Sequence, residues 1–105
     1  MADQIVVWSP AALEDVDAIA AYIARDSIFY AAAVVEKMLG VAAGLNRFPQ
    51  AGRVVPELNQ PDVRERFVYS YRLIYRIETQ RILVTAVIHG KRLLEDATAD
   101  RLAGK

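Results

Sequence analysis

One stretch of the chain concentrates groups able to engage a phosphate. Between Arg64 and Arg92 stand seven basic residues (Arg64, Arg66, Arg72, Arg76, Arg81, Lys91 and Arg92) against two acidic ones, Glu65 and Glu78. Such a density attracts phosphate or an acidic partner, and it equally describes the solvated face of a sheet. The formal net charge of zero conceals this asymmetry. Residues 1–45 hold two basic and six acidic groups, a net −4, while residues 46–105 hold eleven and seven, a net +4. Other chemistries are narrowed by composition. Without cysteine there is neither a disulfide nor a thiolate metal site. The single histidine, His89, argues against zinc. Neither a metal nor a cofactor is expected.

The elements that would position these groups must fit into 105 residues, the length of one domain with one core. The expected core runs over about residues 4–92, followed by a tail over 93–105. Hydrophobic residues make up 54 % of the chain, against a usual ~45–50 %. That surplus suggests apolar surface that a partner covers. The opening MADQIVVW lacks a basic segment followed by a long apolar run. No stretch reaches the ~18 apolar residues of a membrane span. A cytoplasmic location without membrane contact is the expectation.

Gln4–Trp8 is β-branched and apolar and reads as a strand. Ser9-Pro10 then reads as a helix N-cap followed by proline in the first turn, with Glu14 and Asp15 placed to favour the helix N-terminus. Leu13, Val16, Ile19, Ala20 and Ile23 form an apolar stripe that predicts a helix to about Arg25. Asp26-Ser27 caps a second helix running to about Asn46. That helix is apolar over most of its circumference and so needs cover on more than one side. Its Gly40 and Gly44 offer a place for close helix packing, while each weakens the helix by up to ~1 kcal/mol. The segment from Gln50 to Val63, with Gly52, Pro56 and Pro61, reads as a loop. Three strands follow, over Arg64–Tyr69, Tyr71–Glu78 and Arg81–His89. In the middle one Tyr71, Leu73, Tyr75 and Ile77 share one face, directed at the helices, and Arg72, Ile74 and Arg76 share the other. From Gly90 the chain is polar and reads as a frayed helix or a tail. The sum is an α+β domain: a strand, an antiparallel helical hairpin, then a three-stranded antiparallel meander.

Four segments in this order carry a family resemblance: WSPAALEDVDAIAAYIA, RFPQAGRVVPEL, VRERFVYSYRLIYRIE and ILVTAVIHGKR, which together span about residues 5–92. The chain resembles the RelE/ParE superfamily of toxins from bacterial type II toxin–antitoxin modules, whose members include plasmid-stabilisation proteins. The resemblance implies the same fold, a cognate antitoxin that neutralises the toxin in a heteromeric complex, and one of two targets. RelE-like members are messenger-RNA endoribonucleases acting inside the ribosome, and ParE-like members inhibit DNA gyrase without chemistry on nucleic acid.

For the ribonuclease reading, the resemblance puts Glu57 at a catalytic carboxylate, Arg72 at a phosphate-binding arginine and His89 near a catalytic histidine. Together they would form the base, cation and acid that attack by a ribose 2′-hydroxyl requires. The residues taken by themselves leave structural roles open: Glu57 pairing with Arg53, Arg64 or Arg72, and His89 hydrogen-bonded at a strand end. Arg53, Arg64, Lys91 and Arg92 are the expected target or phosphate contacts. Ribonuclease members carry a late tyrosine or lysine cluster. Here the ending is HGKRLLEDATADRL, with no tyrosine after Tyr75, which is closer to the ParE-like pattern. A nucleic-acid-binding module without toxicity and a purely structural interaction domain remain as readings from other classes.

Overall fold

The computed structural model describes residues 4–90. Strand β1 (Ile5–Trp8) leads into helix α1 (Pro10–Ala24) and helix α2 (Ile28–Gly44). A 3₁₀ turn (Pro49–Ala51) precedes β2 (Arg53–Val54), β3 (Val63–Val68), β4 (Tyr71–Ile77) and β5 (Arg81–His89). The sheet order is β1-β5-β4-β3-β2, antiparallel throughout except for β1, which lies parallel to β5. The expected α+β order of strand, helical hairpin and meander holds. Among the described residues no helix is long and apolar enough to cross a membrane.

Both helices begin where a hydroxyl can cap them. Ser9 Oγ accepts from the Ala12 N–H at 3.0 Å and Ser27 Oγ from the Tyr30 N–H at 3.0 Å. One expectation at α1 fails. Its first turn holds no acidic residue, so Glu14 and Asp15 lie one turn too far along to serve the helix terminus, where the dipole's influence is concentrated. Asp15 instead reaches the sheet, where its carboxylate accepts the Val87 N–H at 2.9 Å. That contact falls beside an irregularity in β5. Ile74 pairs with Ala86 and Tyr75 with Val84, leaving Thr85 as the extra residue of a bulge. Because of it, Ile82, Val84 and Val87 all join the core under the helices although their spacing is not strictly alternate.

The main core packs Val16, Val34, Met38 and Leu45 against Leu73, Tyr75, Val84 and Val87. Leu73 and Tyr75 therefore face the helices as expected. The reverse side of the sheet differs from a solvated face. The stretch read as a loop holds the 3₁₀ turn and β2, and it folds back so that Val55, Val63, Ile74, Ala86 and Ile88 form a second buried cluster with Leu58 against it. The two-residue strand β2 is too short to show alternation, which is why the prolines and glycine around it dominate the sequence reading. Gly40 and Gly44 correct a further expectation. A Cβ at either would meet nothing within 4 Å, so no described helix packs there.

Candidate functional site

The segment RFPQAGRVVPEL is fastened to the sheet by Tyr75. Its phenol donates to the Pro49 carbonyl at 2.6 Å and accepts the Gly52 N–H at 2.9 Å. Burial pushes the phenol's pKa up, so the hydroxyl stays a donor. Gly52 is required by close approach: a Cβ would stand 2.5 Å from the Glu65 carbonyl oxygen and 2.7 Å from the Tyr75 hydroxyl. Arg64 ties the middle of the same segment, donating from Nη1 to the Gly52 carbonyl at 3.0 Å, while its Nε donates to the Pro61 carbonyl at 2.9 Å.

This anchoring delivers Glu57 and Arg53 to the reverse face of the sheet, where Arg72 and Glu65 project from β4 and β3. Arg72 grips Glu57 with both Nη atoms at 2.8 Å, a planar fork on a carboxylate. Its Nε donates to Glu65 Oε1 at 2.6 Å, and Arg53 Nε donates to Glu65 Oε2 at 2.6 Å. The Glu65 side chain is fully buried and that of Arg72 is 5 % exposed. Hydrogen bonding from Arg72 holds the Glu57 carboxyl below its usual range. The Glu57 hydrogen bond, with Glu65 adding to it, pushes the Arg72 guanidinium higher still. Two cations and two carboxylates thus cancel in a half-buried network.

The structure brings Glu57 and Arg72 together and leaves His89 apart from them. His89 lies two residues beyond Val87 and shares the helix side of the sheet, where its ring meets Tyr71 edge-on with centroids 5.7 Å apart. Arg72 lies on the opposite side. An anion could reach the Arg72 fork only by displacing Glu57. Of the expected target contacts, Arg53 is engaged with Glu65 although its side chain is 60 % exposed, and Arg64 is held by backbone carbonyls. Lys91 and Arg92 lie outside the described residues, as does the expected tail. Sequence reasoning missed Glu65. Its only signal is that Val63, Glu65 and Phe67 alternate onto the face that Arg72 shares across the β3–β4 pair.

Three comparisons bear on this arrangement. A family model described as the ParE toxin of the type II toxin–antitoxin system parDE matches residues 6–94. The fold is similar to a chain of the chromosomal ParDE TA system from P. aeruginosa. That likeness has a TM-score of 0.68 at 19 % identity, and covers 82 % of this chain and 95 % of that one. It is also similar to the YoeB dimer from Staphylococcus aureus, with a TM-score of 0.58 at 17 % identity, covering 84 % of this chain and 98 % of that one. At those identities the two structures speak for the fold alone. No curated protein matches the chain in sequence.

Proposed function

Since this chain belongs to the ParE toxin family of type II toxin–antitoxin systems, we propose that it acts on DNA gyrase and not on ribosome-bound messenger RNA. The observation that carries this reading is the state of Arg72. Stabilising a phosphorane takes a cation whose donors point at the phosphate. Here those donors are spent on Glu57 and Glu65, and His89 stands on the other side of the sheet. A toxin that binds a protein needs no such assembled set. Induced expression in bacteria with two parallel readouts tests the reading. The DNA-damage response should rise while message integrity is preserved. Codon-specific cuts in translated messages, absent with His89→Ala, would make the ribonuclease reading the correct one.

Family membership carries a cognate antitoxin with it. We place that partner on the helical hairpin. Ala20, Ala24, Ile28, Ala31, Val35 and Leu39 line a hollow of about 580 Å³ between α1 and α2. Ile28 in its wall is 76 % exposed and the adjoining Phe29 91 %, an apolar face that an antitoxin segment folding on contact would cover.

A further inference from the structure

The β3–β4 hairpin turns through two residues, Tyr69 and Ser70, between the paired Val68 and Tyr71. Tyr69 has φ 53°. A positive φ at the first central position of such a turn favours glycine, and a bulky aromatic residue held there is strained. Strain of this kind persists where the surroundings or a function require it. The surroundings do not bury the ring: Tyr69 is 54 % exposed and touches Tyr30, itself half exposed, edge-on with centroids 6.1 Å apart.

Further aromatic surface adjoins it. Phe67, also half exposed, lies under the Arg53 guanidinium at 5.4 Å from its ring centroid. Phe67, Tyr69, Ser70, His89 and Gly90 line a hollow of about 380 Å³ at this end of the sheet. Gly90 presses against the turn, its N–H donating to the Ser70 carbonyl at 2.7 Å. A Cβ there would stand 2.9 Å from that oxygen and 3.1 Å from Phe67 Cε1. The strand end and the hairpin tip are thus locked together while their rings stay outside.

Charge decides what such a patch fits. Stacking platforms for single-stranded nucleic acid combine rings with cations aimed at the backbone. Here Arg53 and Arg72 are answered by Glu65 and Glu57. Exposed rings beside described cations that are already paired, Arg53 and Arg72, fit the anchors of protein interfaces, where tyrosine and phenylalanine fill apolar pockets. We propose that Tyr69 and Phe67, which line one hollow at the hairpin tip, form an aromatic anchor with which the toxin grips an apolar pocket on its protein target. The proposal rests on the gyrase reading, and it lies on a different surface from the α1–α2 hollow.

The test compares purified full-length wild type with Tyr69→Gly, Phe67→Ser and Leu13→Ser in a gyrase supercoiling assay, alongside thermal midpoints. Leu13 is a similarly exposed apolar residue on α1 and serves as control. The first two variants should need about tenfold more protein for half inhibition, the scale of losing one anchor residue, and Leu13→Ser should match wild type. Tyr69→Gly should also raise the thermal midpoint by relieving the positive φ. Activity lost while stability is gained is a combination that a packing role would not produce. Variants as potent as wild type would overturn the anchor and leave the gyrase reading standing. Wild type without gyrase inhibition would remove both. Overturning results would also be a lower midpoint for Tyr69→Gly, or a single-stranded oligonucleotide bound by wild type and released by that variant.

Discussion

Glu57 and Arg72 are the residues whose pairing decides what this surface can do. Arg72 holds the Glu57 carboxyl below its ordinary value of 4.5, so the pair stabilises the folded chain fully above that value. The contribution is lost as pH falls through the lower folded value. Thermal midpoints should therefore be flat from neutral pH to about 5 and decline below. Glu57→Gln should flatten part of that acid decline; Glu78, held down by Arg81 and Arg76, accounts for more of it. Arg72→Ala is a different matter, because it leaves Glu65 buried with half its partners. Removing one member of a buried pair costs about 3–5 kcal/mol, measurable as a lower urea midpoint. Loss of toxicity in Arg72→Ala would thus report folding as much as function, and His89→Ala is the diagnostic variant. The Glu57–Arg72 contact was legible in the sequence as one of several pairings. Glu65 was not, since it reads as an acid flanked by two arginines until the register against Ile74 is known.

Among the elements, two glycines make opposite predictions. Gly40→Ala on the open side of α2 meets nothing and should stabilise by about 0.5–1 kcal/mol through helix propensity. Gly52→Ala forces a Cβ against the Glu65 carbonyl oxygen and the Tyr75 hydroxyl and should destabilise by about 1–3 kcal/mol. Denaturant titration of both variants checks the signs. The helices and long strands were legible because their periodicities run for many residues: α1 from the Ser9-Pro10 cap, β4 from strict alternation, β5 from its β-branched run. The reverse-side cover was not. Val55, Leu58 and Val63 are scattered among prolines, and only the Tyr75 clasp shows that they fold under the sheet. The bulge at Thr85 was hidden for a similar reason, since threonine suits either face of a strand.

At the scale of the molecule, the charge asymmetry resolves into two surfaces. The acidic helical half carries the apolar α1–α2 hollow, and the basic half carries a sheet whose arginines at 53, 64 and 72 are largely engaged within the chain. Burying the hollow under an antitoxin that folds on contact should give a clearly negative heat-capacity change by calorimetry at several temperatures. Binding without one would mean the antitoxin grips elsewhere. On the proposed reading, this toxin holds a protein and performs no reaction on RNA. Purified chain titrated into a gyrase supercoiling reaction tests it most directly, with a parallel incubation on translating ribosomes. Dose-dependent loss of supercoiling or accumulation of cleaved DNA is expected, with intact message on the ribosomes. Unimpaired supercoiling together with message cut at the ribosome would contradict the proposed reading.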